Sequence, residues 1–221
     1  MTQSTAGAGV RRTDPRRART REALIAAGRR LTAAGRTAVS IQEITDEAGV
    51  GFGSFYNHFD SKDELFAEAV ASALDAWGAL RDVAVAGIDD PAEVFALSFR
   101  MIGRAQPHVP VLVKTVLHRG MSVLTTDRGI RPRALADLQA GIGSGRFTAS
   151  SAETALMMTG GALLGLMQQL DADPELDAAA VADEYAVRVL LMLGIESGEA
   201  TRLAALPLPE IDAGDWAAPG A

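Results

Sequence analysis

The chain contains no cysteine, which excludes a disulfide framework and a thiolate metal site. Aromatic residues make up only 5% of the 221 residues, so most of its 48% hydrophobic content comes from Ala, Leu and Val. Ala and Leu favour helices because they lose little conformational freedom there. No run reaches the roughly 18 consecutive apolar residues of a membrane span. No apolar segment follows Arg11 and Arg12 as in a signal peptide, so we expect a cytoplasmic protein with no membrane partner.

Charge is unevenly distributed along the chain. Residues 1–62 carry ten Arg and Lys against six Asp and Glu, a formal charge of +4, whereas residues 63–221 carry eleven against twenty-two, a charge of −11. Nine arginines lie within the first 36 positions. A basic N-terminal part on an acidic body is typical of a protein that meets a polyanion, although a solubilising tail has the same composition.

Hydrophobic spacing predicts an all-α protein. No segment shows the convincing alternation of a half-buried strand. The run 111–117 fits a helix or a strand by periodicity, and its helical neighbours favour a helix. Residues 1–15 show no periodicity and are predicted to form a disordered arm. The main predicted helices span about 15–34, 41–48, 52–59, 62–85, 91–102, 132–142, 150–170 and 177–193.

The most informative segment, residues 40–62, contains two short predicted helices joined by a tight turn. Ser40 followed by Glu43 is the signature of a capping box at a helix start. Gly49 ends this helix, because glycine readily adopts the left-handed conformation that a tight turn needs. Such a pair forms a helix-turn-helix, in which the second helix enters the major groove and the start of the first faces phosphates.

Four stretches in and after this segment match one family pattern: IQEI at 41–44, AGV at 48–50, GSFYNHF at 53–59 and SKDEL at 61–65. Together they resemble the TetR family of transcriptional regulators. The chain departs from the pattern at Thr45, where the family usually has Ala, and at Gly51, where Ser is common. Agreement over about 25 positions is far more specific than an isolated glycine or serine motif.

The resemblance implies a three-helix DNA-binding domain over residues 16–62 and a helical effector-binding and dimerisation domain over residues 63–221, linked by the helix at about 62–85. It also implies a homodimeric repressor that a small lipophilic ligand releases from palindromic double-stranded operator DNA. The alternative is a helix-turn-helix protein without a small-molecule effector. A preformed apolar cavity in the body favours the first interpretation, and a filled body favours the second.

The residues expected to contact DNA lie near the N-terminus. By resemblance, Tyr56, His58 and Lys62 hold phosphates, and Phe52 and Ser54 lie where the family reads bases. Phe52 cannot hydrogen-bond to a base edge, so a thymine methyl group is the one feature it can read. Arginines of the first helix either add phosphate or minor-groove contacts or form a solvated arm. The predicted DNA-binding set is Arg17, Arg19, Ser40, Gln42, Gly51, Phe52, Ser54, Tyr56, Asn57, His58 and Lys62.

Two long helices of the body supply the expected dimer surface. The segment 150–170 contains three glycines, each of which costs a helix up to about 1 kcal/mol, so a close packing contact is expected. With the segment 177–193 it can form a four-helix bundle across a two-fold axis, or it can belong to the intramolecular core. The predicted interface residues are Gly160, Gly161, Gly165, Ala186, Val189, Leu190 and Leu193.

Aromatic and methionine side chains of the body suit an adaptable apolar pocket with a few polar groups. The same spacing is also typical of ordinary core packing. The residues predicted to line a ligand pocket are Trp77, Phe95, Phe99, Ile102, His108, Thr115, His118, Met121, Met157, Met158 and Gln168.

Nothing in the sequence indicates catalysis. The histidines are His58, His108 and His118, and the last two lie ten residues apart across a proline break, which is not a helical metal-ligand spacing. The glycine-rich stretch 141–145 lacks the preceding strand and the lysine of a phosphate-binding loop. We therefore expect no enzyme activity, no metal site and no cofactor.

Overall fold

The computed structural model describes residues 15–209, and within this range it is built from ten α-helices and no strand. The all-α prediction is therefore confirmed, and the ambiguous run 111–117 lies in a helix. A 3₁₀ turn at Gly120–Leu124 follows the sixth helix. The helices are α1 Pro15–Ala33, α2 Ile41–Ala48, α3 Gly53–Tyr56, α4 Lys62–Ala84, α5 Pro91–Gly103, α6 Pro110–Arg119, α7 Arg131–Gly143, α8 Ala152–Ala172, α9 Ala178–Met192 and α10 Ser197–Ala204.

The helix boundaries follow the capping signals of the sequence. Ser61 precedes α4, and its hydroxyl accepts a hydrogen bond from the Glu64 amide at 3.1 Å. Pro91 occupies the first position of α5, where its missing N–H costs nothing. The predicted disordered arm lies outside the described residues except for Pro15, which begins α1. Within residues 15–209, every helix is too short or too polar to cross a bilayer.

Two separate hydrophobic clusters organise the chain. The first joins α1, α2, α3 and the start of α4 around the fully buried Leu24, Phe55 and Leu65. The second fills the space between the rest of α4 and the helices up to α10, with Leu166 and Leu190 fully buried within it. Each buried Leu or Phe stabilises its cluster by about 1.5–3 kcal/mol.

A single helix, α4, contributes to both clusters. Leu65 near its start packs in the first cluster, whereas Leu74 and Trp77 pack in or against the second. Its 23 residues span roughly 34 Å. Near the start of α4, α1 approaches closely at Gly28, where an added Cβ would lie 3.0 Å from the Ala69 side chain. The continuous helix α4 thus joins the N-terminal unit to the body, and α1 also contacts α6.

Candidate nucleic-acid interface and ligand cavity

A capped helix start and a glycine turn place α2 and α3. The Ser40 hydroxyl accepts a hydrogen bond from the Glu43 amide at 3.2 Å, and the Glu43 carboxylate accepts one from the Ser40 amide at 2.9 Å. Gly49 ends α2 with a φ of 65°, in the left-handed region that glycine enters at low cost. Four residues separate the two helices. The predicted helix-turn-helix is therefore present.

The start of α2 carries a carboxylate next to the expected phosphate contact. Hydrogen bonds from the Ser40 amide and hydroxyl hold the pKa of Glu43 below its usual value, so this group is ionised at neutral pH. Arg36 approaches it at 3.4 Å. Gln42 is exposed and donates to Asp46 at 2.6 Å. A phosphate here would meet both the positive end of α2 and a negative side chain, so contacts from Ser40 and Gln42 stay a prediction.

Aromatic rings lie on both faces of α3. Phe55 and Phe59 are buried, with ring centroids 5.9 Å apart, and they anchor this segment to the first hydrophobic cluster. Phe52 and Tyr56 are 49% and 56% exposed on the opposite side. One buried face and one exposed face are what a recognition helix needs to enter a groove.

A polar cleft lies between α1 and the end of α3. Arg17 donates to the Asn57 carbonyl at 3.1 Å and so joins the two elements. Guanidinium, hydroxyl and imidazole groups that face one cleft suit phosphate oxygens. We call this site the α1–α3 cleft; its lining residues are Arg16, Arg17, Thr20, Ser54, Asn57 and His58.

His58 is half-buried in the α1–α3 cleft. Burial, together with the positive charges of Arg17 and Arg21, lowers its pKa below the usual 6.5. The imidazole is therefore neutral at pH 7, and one of its nitrogens can donate to a phosphate. Its protonation would add positive charge to a site that is already basic.

Three further residues of the predicted DNA-binding set lie outside the α1–α3 cleft. The half-buried Lys62 donates to the Val39 carbonyl at 2.6 Å and so ties α4 to the chain before α2; its ammonium has two more donors for a phosphate. Arg19 donates to the Pro15 carbonyl at 3.2 Å within α1. Gly51 is exposed in the turn and has no side chain with which to contact DNA.

Arg21, which is not in the predicted DNA-binding set, links α1 to the recognition segment and to α4. Its guanidinium lies 5.2 Å from the centre of the Phe59 ring and 3.4 Å from the Glu68 carboxylate of α4. A cation over an aromatic face is attracted to it, and this contact braces α1 against the recognition segment. The spacing of four residues between Arg17 and Arg21, which puts both on one side of α1, is the sequence signal for it.

A cavity of about 70 Å³ lies in the body between α4, α5, α6 and α7, and Met167 of α8 contributes to its wall. A single water needs roughly 10–15 Å³, so the cavity has room for a compact molecule. Most of the wall is apolar. The lining residues are Leu74, Trp77, Gly78, Arg81, Ser98, Ile102, Ala105, Val109, Leu112, Val113, Val116, Ile130, Arg133, Ala134, Asp137 and Met167.

Charged side chains meet at the cavity wall. Arg81 donates to the Ser98 hydroxyl at 2.7 Å and to the Asp137 carboxylate. Asp82 accepts from Arg81 at 3.2 Å and from Arg133 at 2.8 Å. Burial raises the pKa of Asp137, and the hydrogen bond from Arg81 opposes this shift. We call the lining residues Arg81, Ser98, Arg133 and Asp137 the polar corner; it offers both donors and acceptors to a ligand.

Among the residues predicted to line a pocket, Trp77 and Ile102 line this cavity and the others do not. Phe95 and Phe99 are core residues with ring centroids 6.2 Å apart. The hydroxyl of Thr115 donates to a carbonyl of its own helix at 2.8 Å. Helical periodicity cannot separate cavity walls from core or surface. The remaining predicted residues are exposed: His108, His118, Met121, Met157, Met158 and Gln168.

The prediction of the dimer surface is wrong for the four apolar residues in and directly after α9. Ala186, Val189, Leu190 and Leu193 are at most 2% exposed and belong to the core of the protomer itself. A side chain that is already buried within its own chain cannot contact a partner without unpacking that core. The apolar periodicity of α9 therefore reports intramolecular packing.

The glycines of α8 divide between the two alternatives. An added Cβ at Gly160 would lie 2.5 Å from the Leu124 side chain. The absence of a side chain therefore lets the 3₁₀ turn pack against α8 at this point, and Gly160 is not available to a partner. Gly161 and Gly165 have no atom within 4 Å of an added Cβ. They share one helix face with the exposed Met157, Met158 and Gln168. We call these five residues the α8 stripe.

Two family models match the chain. Residues 24–69 match the model described as bacterial regulatory proteins, tetR family, and residues 90–205 match that of the tetracyclin repressor-like C-terminal domain. The second match alone spans more than half of the chain.

Solved structures and curated proteins agree with these models. The structure of RolR in complex with its ligand resorcinol is 32% identical, with a TM-score of 0.68 over 89% of this chain and 98% of RolR. RolR without ligand is 31% identical, with a TM-score of 0.70 over 86% and 100%. The transcriptional repressor KstR2 of Rhodococcus jostii (strain RHA1) is 31% identical over 124 residues, which span 51% of this chain and only 60% of KstR2. The chain belongs to the TetR family of transcriptional regulators.

Proposed function

We propose that the protein is a dimeric repressor that leaves a palindromic operator when a compact, mostly apolar ligand with hydroxyl groups occupies the cavity. The proposal rests on the position of this cavity, because α4 forms part of its wall. Leu74, Trp77 and Arg81 of α4 line the cavity, and Leu65 of the same helix packs in the first hydrophobic cluster, which belongs to the N-terminal unit. A ligand that shifts α4 therefore reorients the DNA-binding unit.

The N-terminal unit supplies both parts of a DNA contact. The exposed face of α3 with Phe52 and Tyr56 fits into the major groove, and the α1–α3 cleft lies at its side, where a phosphate backbone would pass. Lys62 and the arginines of α1 add positive charge around it. In a dimer, the two recognition helices would read half-sites about 34–36 Å apart, which is one turn of DNA.

The α8 stripe is the surface that we assign to the partner subunit. Its two glycines face open space, so a second backbone can approach closely. Its two exposed methionines are flexible and adapt to an apolar partner surface. A stripe that meets its own copy across a two-fold axis forms the isologous contact that is usual in homodimers.

The cavity of about 70 Å³ is smaller than the roughly 150 Å³ that holds benzene in an engineered protein cavity, so a single aromatic ring with hydroxyl groups enters only if the walls move apart. Resorcinol, the ligand in the RolR complex, has one ring and two hydroxyls, and a molecule of this class matches apolar walls that end in the polar corner. We propose that one hydroxyl donates to the Asp137 carboxylate and accepts from Arg81 or Arg133, while the ring packs beside Trp77. The apolar walls exclude water and so strengthen these contacts.

Ligand release then follows from a population shift. The ligand lowers operator affinity only by the difference between its affinities for the DNA-competent and the DNA-incompetent arrangement of α4. A regulator without an effector would have a body with no ligand-sized space. The preformed cavity favours the effector-binding interpretation over that alternative.

One experiment tests both parts of the proposal. The full chain selects duplexes from a genomic DNA library, and fluorescence anisotropy then measures affinity for a selected duplex with and without resorcinol. We expect sequence-specific binding that resorcinol weakens, while benzene, which lacks hydroxyl groups, does not. Specific binding that resists resorcinol and a panel of related phenols would support the regulator without an effector, and the absence of specific binding would refute the DNA-binding part.

A further inference from the structure

Phe52 is a large apolar side chain held outward at the DNA-facing surface. It is 49% exposed, and its ring meets the Tyr56 ring edge-on at 6.0 Å with an interplanar angle of 70°. Tyr56 in turn meets the ring of the fully buried Phe55 at 5.5 Å. This chain of rings links Phe52 to the core, so its position is supported although half of its surface faces solvent.

The two residues next to Phe52 in the chain are both glycines. Gly51 and Gly53 are exposed and carry no side chain, and an added Cβ at Gly53 would meet no atom within 4 Å. Apart from the side that meets the Tyr56 ring, the surface around the Phe52 ring is therefore open to a base-pair edge. Glycines on both sides of a protruding ring are typical of a point of close approach.

Apart from the hydroxyl of the exposed Tyr56, the hydrogen-bonding side chains of this segment lie on a different side. Ser54, Asn57 and His58 all line the α1–α3 cleft together with the arginines of α1, where the backbone phosphates are expected. Phe52 is the one side chain between Gly51 and Gly53, and it is exposed on the surface that we propose faces the groove. Readout at this position thus depends on apolar contact.

We infer that Phe52 reads the C5-methyl group of one thymine in each half-site of the operator. Thymine is the one standard base that presents a methyl group in the major groove, and apolar side chains recognise it there. Phe52 is then a specificity-determining residue, whereas the α1–α3 cleft positions the protein on phosphates without reading sequence. This inference rests on the proposed DNA-binding function.

Replacement of thymine by deoxyuridine removes the methyl group and leaves the base-pair hydrogen bonds intact. In a duplex selected by the full chain, each thymine is replaced in turn, symmetrically in both half-sites, and affinity is measured by fluorescence anisotropy. We expect one position at which the replacement weakens binding by about fourfold per half-site and about fifteenfold for the dimer, from the loss of one buried methyl group.

Variants of Phe52 identify the residue that makes the contact. Phe52→Ala should bind the selected duplex more weakly and should no longer distinguish thymine from deoxyuridine at that position, whereas Phe52→Leu should retain part of the discrimination. A cytosine at that position should bind better when it is 5-methylated. The circular dichroism spectra of both variants should show the same helix content as the wild-type chain, since the replaced ring is half-exposed.

The outcomes separate this inference from the proposed function. If the wild-type chain selects no specific duplex, the DNA-binding proposal itself fails. If it binds a specific duplex but no thymine is sensitive to deoxyuridine, or if Phe52→Ala keeps the full sensitivity, the methyl readout by Phe52 is wrong while the regulator assignment stands.

Discussion

Asp75 of α4 accepts two hydrogen bonds from the loop before α7, one from the Arg128 guanidinium at 2.8 Å and one from the Gly129 amide at 2.7 Å. Arg128 also forms an ion pair with Glu68, which lies about two turns of α4 nearer the DNA-binding unit. Glu68 forms a second ion pair with Arg21 of α1. The loop leads into α7, whose residues line the cavity. These ion pairs therefore connect the cavity wall to α1 through α4.

We expect Arg128→Ala to weaken the coupling between ligand and DNA. The variant loses the contacts by which the start of α7 holds α4, so a ligand in the cavity should lower operator affinity less than in the wild-type chain. Ligand affinity of the free protein should change little, because Arg128 does not line the cavity. The measurement compares ligand affinity by calorimetry with the ligand-induced change in DNA affinity by anisotropy.

A matched substitution shows whether the effect is specific. Arg188 of α9 is 72% exposed and pairs with Glu184 in its own helix at 3.9 Å. Arg188→Ala should leave the coupling unchanged. Each of the two substitutions should reduce the free energy of unfolding by less than about 1 kcal/mol, as expected for exposed ion pairs. Equal coupling in Arg128→Ala and the wild-type chain would exclude this route.

Asp137 of the polar corner offers a second test. Asp137→Asn keeps the shape of the side chain but removes the charge that accepts a ligand hydroxyl, and a hydrogen bond to a charged group contributes about 1.5–3 kcal/mol. We expect resorcinol to bind this variant at least about tenfold more weakly. DNA affinity without ligand should stay the same within about twofold, because the amide oxygen that replaces the carboxylate still accepts a hydrogen bond from Arg81 of α4.

A substitution in the apolar part of the cavity wall serves as the comparison for Asp137→Asn. Val116 is buried in α6 and lines the apolar part of the cavity. Val116→Ala enlarges that part without touching the polar corner, so it should change the preferred ring size more than the need for a hydroxyl group. If Asp137→Asn still distinguishes resorcinol from benzene as strongly as the wild-type chain, the proposed role of the carboxylate is wrong.

Local signals in the sequence were sufficient for the helix-turn-helix. Ser40, Glu43 and Gly49 act within a few residues of chain, through capping bonds and one left-handed turn, so their effect can be read without knowledge of the rest of the fold. The exposed and buried sides of α3 also follow from this local placement. For this reason Phe52, Tyr56 and Phe55 lie where the pattern predicts.

The cavity and the dimer surface depend on how distant helices pack. Phe95 and Trp77 look equivalent in an apolar pattern, yet one is core and the other lines the cavity. The polar corner joins Arg81 to Asp137, 56 positions apart, and neither residue was selected because ion pairs of this range leave no periodic signal. Similarly, the four apolar residues in and directly after α9 face their own core, since periodicity shows that a face is buried but not what covers it.

Protonation of His58 should strengthen DNA binding. Its pKa in the free protein lies below 6.5 because of burial and the nearby Arg17 and Arg21. A phosphate in the α1–α3 cleft would raise this pKa in the complex, so DNA binding takes up a proton. The added affinity is present at low pH and is lost as the pH rises through the pKa of the complex, and one charge-assisted contact adds about fivefold per half-site.

Affinity for a selected duplex, measured between pH 5.5 and 8 at constant salt, checks this prediction. His58→Gln retains a donor but does not titrate in this range, so its affinity should vary less with pH than that of the wild-type chain. His118→Gln, at an exposed position of α6 outside the cleft, should keep the wild-type pH dependence. A wild-type profile that is flat, or one that His58→Gln leaves unchanged, contradicts a role for this imidazole.

Gly165 tests the surface assigned to the partner subunit. Gly165→Leu places a bulky side chain where the α8 stripe would meet its copy, while the protomer itself has open space for it. We expect the variant to be monomeric at concentrations where the wild-type chain is a dimer, as measured by analytical ultracentrifugation. Its operator affinity should fall because one protomer then binds one half-site without the second.

Gly143→Leu is the matched control for this substitution, since Gly143 is also exposed at a helical position with no atom near an added Cβ. Both substitutions exchange glycine for a helix-favouring residue, so both chains should remain folded, and Gly143→Leu should remain dimeric. If Gly165→Leu also remains a dimer with full operator affinity, the partner contact lies elsewhere on the body. The two open glycines of α8 would then need another explanation, because in a helix they cost stability that no contact within the protomer restores.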